Sequence, residues 1–416
     1  MQIFKFGGAS VKDAEGVKNV LQVLLTTGTT EKLVVISAMG KTTNAMEDVI
    51  HAYFGDKTTV PAQIHKSITY HQEILDGLFP KGHAVYDRVK ELFGELKGFL
   101  AWNKSPKYDF VYDQVVSYGE LISTTMVSTY LNENGLQNNW IDARDLIQTD
   151  DSYRDARVDW DATQKAIKEK VNLKALSITQ GFIGSDSNNF TTTLGREGSD
   201  YSGGIFAYCL NAESLTIWKD VPGVLNGDPR VFENTELLHQ ISYEEAIELA
   251  FYGASVIHPK TLQPLQRKEI PLFVKSFINP TERGTAVSKG QTLVPHVPCY
   301  IVKKGQVLIS LSSLDFSFMM EDNIGEVFKL LAKYKMKVDL IQNSAISFSV
   351  CVDNKFKHLD ELVNHLKGKF KVQTIEGVSL YTIRHFTPKV LDIFQKNRTV
   401  LLKQVAQNTV QLVTQN

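Results

Sequence analysis

Thr191-Thr192-Thr193-Leu194-Gly195-Arg196-Glu197-Gly198-Ser199-Asp200-Tyr201-Ser202-Gly203-Gly204 reads as a short strand, a glycine loop and the opening of a helix. A serine or aspartate at such a place commonly caps the helix, and capping would account for Ser199 or Asp200 alone. It leaves an arginine, three threonine hydroxyls and four glycines around one turn, where free N–H groups and a helix N-terminus favour an anion. The chain opens with the same grammar at Lys5-Phe6-Gly7-Gly8-Ala9-Ser10. Taken alone, this hexapeptide reads more readily as a tight strand-to-helix turn, although Lys5 adds a full charge beside two glycines that let N–H groups approach a phosphate. It is not a Walker loop, because no G-x-x-x-x-G-K-[ST] occurs.

Outward from these two units, apolar runs such as Lys32–Ser37, Ala175–Thr179 and Ser214–Trp218 alternate with helical periodicity, which predicts an α/β layered domain with a largely parallel sheet. Asn44 to Asn134 reads as a mostly helical excursion, a lid or one wall of a cleft. Ser242-Tyr243-Glu244-Glu245 has the capping-box pattern of a helix that stops near Gly253, Pro259 suits the first turn of another, and Leu272–Ser276 is the last strand expected of this domain. Lys260, just after Pro259, faces the positive end of its helix, which costs about 0.3–1 kcal/mol unless an anion sits there. A β- or γ-phosphate would supply one. On composition alone, Lys219 to Arg230 is a Pro/Gly/Asn turn cluster.

At 416 residues two or three domains are expected. A formal net charge of -1 gives no electrostatic reason to expect nucleic acid or a membrane surface as partner. Cys209, Cys299 and Cys351 are an odd number without CxxC spacing, which suggests neither a disulfide framework nor a zinc site. The chain starts directly on a strand-like run and nothing in it reaches membrane-spanning length, so a cytoplasmic location is expected. After a turn-rich stretch from Pro280 to Pro298 the rhythm changes, and a boundary falls near Pro295. Strand Val307–Leu311, helix Asn323–Tyr334, strands Val338–Gln342 and Ile346–Val352, helix His358–Leu366 and strand Lys371–Ile375 make a βαββαβ ferredoxin-like unit. A shorter series follows: strand Val378–Ile383, helix Pro388–Gln395, and strands near Val400–Gln404 and Val410–Val413. It needs a borrowed strand, for which Cys299-Tyr300-Ile301-Val302 is the donor expected.

Six motifs in order give the chain a specific resemblance: Lys5 to Gly8, Ser37 to Asn44, Ser117-Tyr118-Gly119-Glu120, Gly195 to Asp200, Lys219 to Arg230, and Gly253 to Lys260. Together they resemble the aspartokinases of the amino acid kinase superfamily over nearly the whole length. The resemblance implies an α/β amino acid kinase fold, three-layer αβα with a mainly parallel sheet, over 1–294. Tandem ferredoxin-like ACT modules follow over 295–416, the first about 305–376 and the second, truncated, about 296–304 plus 377–416. The implied reaction converts ATP and L-aspartate to ADP and 4-phospho-L-aspartate, the entry to lysine, threonine, methionine and diaminopimelate synthesis, with feedback regulation expected. A fused homoserine dehydrogenase is not expected.

By resemblance Lys5 contacts the transferring phosphoryl group and Asp200 orients lysines or the metal; Arg196 clamps the substrate carboxylate, Glu120 pairs with its ammonium, and Thr43 and Ser199 add hydrogen bonds. Gly7, Gly8, Ser10, Lys219, Asp220, Leu225, Arg230 and Lys260 are the implied nucleotide residues, and Mg2+ is expected chiefly on the ATP phosphates. Asn323, Ile324 and Asp339 are implied contacts for an effector, lysine or threonine, and the ACT modules imply a homodimer or higher homo-oligomer. Three positions depart from the family pattern. Ala9 replaces a usual threonine, and Leu225 stands where an aromatic residue often flanks adenine. Glu197 stands where glycine is common; a carboxylate near a phosphate costs on the order of several kcal/mol at an effective dielectric of about 20, so it is expected to point away or pair with a cation.

Overall fold

The computed structural model describes residues 1–254, 257–315, 317–396 and 398–415, and the chain divides into two compact units. Of the described residues, 1–224, 237–247 and 257–294 form the first, and 225–236, 248–254 and 295–415 the second.

In chain order the elements up to residue 288 are β1 (Gln2–Phe6), α1 (Ala14–Thr27), β2 (Lys32–Ile36), α2 (Thr42–Phe54), α3 (Val60–Leu78), α4 (Ala84–Trp102), α5 (Tyr108–Glu133), β3 (Asn139–Ile141), α6 (Trp160–Lys170), β4 (Leu176–Gln180), β5 (Ile183–Ser185), β6 (Thr191–Thr193), α7 (Gly198–Leu210), β7 (Ser214–Lys219), β8 (Val224–Leu225), β9 (Leu237–Leu238), β10 (Gln240–Ser242), α8 (Tyr243–Tyr252), α9 (Pro259–Lys268), β11 (Leu272–Ser276) and β12 (Thr285–Ser288). An eight-stranded sheet runs β10-β12-β11-β7-β1-β2-β4-β3. Only β11 with β12 is antiparallel. Strands covered on both faces tend to near-continuous apolar runs; β2 and β4 are buried at every position, β2 with the run Leu33–Ile36 and β4 with Ser177, Thr179 and Gln180 among its buried residues. The expected α/β class with a mainly parallel sheet is what the chain adopts.

Local chemistry sets the helix ends. Asp13 accepts from the Gly16 N–H at 2.8 Å to open α1, the Ser242 hydroxyl accepts from Glu245 N–H at 3.0 Å at the head of α8, and Pro259 takes the first turn of α9. Two features differ from the sequence reading. β12 extends the sheet beyond β11, hidden because four residues with one fully buried apolar side chain, Val287, lie among turn formers. And α5 is not amphipathic: residues on all its sides are buried, including Asp113 and Glu120. The strand order reverses at β1, so the carboxyl ends of β1, β2 and β7 open onto a topological switch point, the place where such sheets bind ligands.

The second unit is built on β13 (Cys299–Ser313), α10 (Glu321–Lys333), β14 (Lys337–Asn343), β15 (Ser347–Asp353), α11 (Leu359–Leu366), β16 (Phe370–Arg384), α12 (Pro388–Gln395), β17 (Thr399–Ala406) and β18 (Thr409–Gln415). Its sheet runs β14-β15-β13-β16-β18-β17. Two runs expected as separate strands merge into β13 and two others into β16. Cys299–Lys303 pairs antiparallel with 380–384, and 307–313 pairs with 370–376, across a register shift at Lys303 to Val307. Each half of the sheet therefore has a ferredoxin-like strand order, and Cys299–Val302 lies beside the second series.

Candidate active site

The carboxyl end of β1 carries Lys5 into a 3-10 turn at Gly8–Val11, and the end of β2 leads through Ser37, Ala38 and Gly40 to α2. These two loops touch: Gly40 N–H donates to Gly8 O at 3.0 Å, and a Cβ on residue 8 would meet the Gly40 and Ala38 carbonyl oxygens at 2.7 and 2.8 Å. Only glycine admits that approach. β7 ends on Lys219, and α5 forms a wall through Tyr112 and Glu120. Together they enclose a cavity of roughly 500 Å³ lined by Lys5, Gly8, Thr43, Glu120, Arg196, Ser199, Asp200 and Lys219 among others, within the usual range for a small-molecule site.

Charge is arranged unevenly within it. Asp200, in the first turn of α7 and 3% exposed, lies 2.5 Å from Lys5 Nζ and 3.7 Å from Lys219 Nζ. Burial works against its negative charge, but Lys5 and then Lys219 outweigh burial and hold the carboxyl below its ordinary pKa. Glu120, also buried, has no ion-pair partner among the described residues. Its Oε1 accepts from Ala38 N–H at 3.3 Å, and Oε2 has no hydrogen-bond partner. Burial pushes its pKa up to about 8, against the pull of the Ala38 N–H and of Lys5. A buried, half-satisfied carboxyl is costly unless a cation arrives. The site can thus neutralise a phosphoryl group at the Lys5 end and receive an ammonium at Glu120.

Neither Ser199 nor Asp200 caps α7. The N-cap is Glu197, in the left-handed region at φ 54°, which is the conformational reason a glycine suits that position. Glu197 lines the cavity and its Oε2 is buried without a hydrogen-bond partner, so the pairing expected for that oxygen is not made among the described residues. Arg196 is exposed and lines the cavity; Thr43 sits in the first turn of α2. Among the described residues no group of three or more His, Cys, Asp or Glu could hold a metal. Asp200, the carboxylate beside Lys5, is already engaged by two lysines.

The other residues expected at the nucleotide do not line the cavity. Gly7 and Ser10 flank it, with Ser10 Oγ buried and unpartnered; Asp220 is exposed. Lys260 pairs with Asp155, so the anion that its position at the head of α9 requires is here a protein carboxylate. In the motif Gly253 to Lys260, Ser255 and Val256 lie outside the described residues. Leu225 and Arg230 belong to the second unit, where Arg230 forms a bidentate pair with Asp228. There too Asn323 and Ile324 lie in the first turn of α10, and the Asp339 carboxylate takes Lys303 Nζ at 2.7 Å and Lys337 Nζ at 3.6 Å. Sequence reasoning passed over Tyr112, Arg154 and Phe182, which also line the cavity. Arg154 sits in Asp151-Ser152-Tyr153-Arg154-Asp155, which has no glycine and no periodicity to mark it.

The model of the Amino acid kinase family matches residues 1–276. The Escherichia coli (strain K12) protein named lysine-sensitive aspartokinase 3 is 32% identical over 394 residues, covering 92% of this chain and 86% of that one. A solved structure of E. coli aspartokinase III in complex with lysine and aspartate, in the T-state, matches with a TM-score of 0.83 at 28% identity over 99% of this chain and 95% of that one. The R-state structure of that enzyme with aspartate and ADP gives 0.82 at 27% identity over 100% and 96%.

Proposed function

The chain belongs to the amino acid kinase family, among the aspartokinases, and from that premise we propose that its β1–β2–β7 cavity performs the phosphoryl transfer with the residues it gathers. The reaction is ATP plus L-aspartate to ADP plus 4-phospho-L-aspartate, the entry to lysine, threonine, methionine and diaminopimelate synthesis, under feedback regulation. The observation that carries the assignment is the contrast between two buried carboxyls in one cavity. Asp200 is compensated by Lys5 and Lys219, whereas Glu120 forms no ion pair among the described residues and its Oε2 has no hydrogen-bond partner there.

In this reading the Glu120 carboxylate takes the ammonium of aspartate, and Arg196 takes its α-carboxylate through the planar fork of the guanidinium, with Thr43 and Ser199 adding hydrogen bonds. The β-carboxylate, with an ordinary pKa of about 3.9, is already ionised at neutral pH, so no general base is required. One of its oxygens bonds to the γ-phosphorus while the bond to the β,γ-bridging oxygen breaks, and that electron pair leaves with ADP. Charge grows on the equatorial and bridging oxygens, and Lys5, fixed by Asp200, is placed to neutralise it without reorganising. Lys219 belongs to the same ion cluster. Mg2+, when carried in on the ATP phosphates, would supply further neutralisation there. Gly8 and its neighbours Gly7 and Ser10 offer backbone to the phosphates, and Lys260 turns to them when it leaves Asp155.

We assign residues 1–294 to catalysis and 295–416 to regulation through two ACT-like modules. An amino-acid effector, lysine or threonine, contacting Asn323, Ile324 and Asp339, a homo-oligomer built through the modules, and a cytoplasmic location complete the proposal. Among the described residues no helix is long and apolar enough to cross a membrane. Hydroxylamine converts an acyl phosphate to a hydroxamate, so the test is hydroxamate formation from ATP and Mg2+ with aspartate or glutamate, beside Lys5→Ala. Aspartate-dependent product that Lys5→Ala loses is expected; product with glutamate alone, or none with either, overturns the assignment.

A further inference from the structure

Tyr153 and Arg154 are consecutive non-glycine residues in the left-handed region, at φ 41° and 59°. Each such residue costs about 1–2 kcal/mol, so a pair of them needs a compensating hold. The hold is Asp113, which is fully buried on α5. Its two carboxylate oxygens accept the Arg154 N–H at 3.0 and 2.9 Å, and they also accept the Thr193 N–H at 2.8 Å and the Thr193 hydroxyl at 2.7 Å. Thr193 ends β6, three residues before Arg196. One buried carboxyl therefore anchors both segments that bring an arginine to the cavity.

The Arg154 side chain is preorganised and only partly neutralised. Its guanidinium carbon lies 4.4 Å from the ring centroid of Tyr112 and 5.6 Å from that of Tyr108. Among the described residues its one ion pair, with Asp109 at 3.4 Å, joins side chains 46% and 60% exposed, and exposed pairs of this kind hold a charge only weakly; the buried Asp113 carboxyl is also close enough to feel its charge. Lys5 and Lys219, in contrast, are engaged by Asp200. Arg154 and Arg196 are left as the cavity's available forks, and a planar fork recognises a carboxylate. Tyr112, beneath Arg154, stands eight residues before Glu120 on α5, about 12 Å along the helix axis. Lys5, in turn, is close enough to Glu120 to act on its charge. Arg154 thus enters the cavity from the Tyr112 side of α5.

We infer that Arg154 is a second carboxylate-binding residue for the acceptor, acting with Arg196 on the non-reacting carboxylate, and that Asp113 is the positioning residue that sets both. The inference rests on the reading of the cavity as an aspartate site. Arg154→Gly is the informative variant, because glycine adopts φ near 59° without strain and the backbone N–H to Asp113 is kept. Aspartate and ADP binding are measured by calorimetry, together with KM and kcat. Expected are a loss of at least tenfold in aspartate affinity, a matching rise in KM that exceeds any fall in kcat, ADP affinity within twofold of the parent, and a melting temperature no lower. Arg154→Lys restores only part of the affinity, since a lysine has no fork. Asp113→Asn, which keeps the side chain's size, weakens aspartate binding in the same direction. An unchanged aspartate affinity in Arg154→Gly overturns the inference, as does a loss confined to ADP. If the parent protein itself binds no aspartate, the reading of the cavity fails instead.

Discussion

Raising the pH from 6.5 to 7.5 should tighten aspartate binding about eightfold, because Glu120 must lose a proton to receive the substrate's ammonium. Burial holds its pKa at about 8 in the free protein, so at pH 7 it is mostly neutral. Binding then expels a proton, and apparent affinity follows the ionised fraction. That fraction rises about tenfold per unit well below pH 8 and flattens above it. The same value predicts release of about 0.9 proton per aspartate bound at pH 7. Calorimetric titration in two buffers of different ionisation enthalpy counts the protons directly, and repeating it from pH 6.5 to 8.5 gives the affinity curve. Glu120→Gln is the control: weaker binding, no proton release from this site, and whatever dependence the substrate's own ionisation contributes. A flat affinity with no proton release in the parent protein, or a release that survives in Glu120→Gln, would refute the reasoning.

Two further outcomes follow from buried or strained groups. His71 is fully buried, with Nδ1 2.7 Å from the Ser67 carbonyl, and burial pushes its pKa down to about 4. A depressed base leaves stability intact above the unfolded pKa of about 6.5 and loses it as pH falls towards 4, by about 2 kcal/mol at pH 5. Melting temperatures of His71→Gln should fall less between pH 7 and 5 than those of the parent; equal slopes would sink the idea. Replacing Glu197 by glycine removes a half-buried carboxylate from the cavity and a left-handed side chain from the start of α7, so the KM for ATP should drop at least twofold. A rise would mean that Glu197 assists the nucleotide.

Much of the frame was legible because it is locally encoded. Glycines after a strand, a serine three residues before Glu245, and a proline at the head of α9 each act within a few residues, and each lies where the local reading places it. The site was harder, for a physical reason. A glutamate on a long helix is ordinarily solvated, and only the packing of α5 on all sides turns Glu120 into a buried acid. The hold of Asp113 on Thr193 spans 80 positions, and no periodicity or propensity records a contact of that range. Lys260 illustrates the middle case. Helix electrostatics called for an anion beside it, but tertiary structure chose Asp155.

β13 and β16 are 15 residues each, about 50 Å of continuous strand, and each serves both ferredoxin-like halves of the second unit. The halves are in effect woven from one thread: the first strand of the chain's tail completes the later half, and the strand that finishes the earlier half begins the later one. Neither half can be excised or traded as a cassette without unravelling its neighbour. Any selection that altered one half would have had to preserve the other's strands as well.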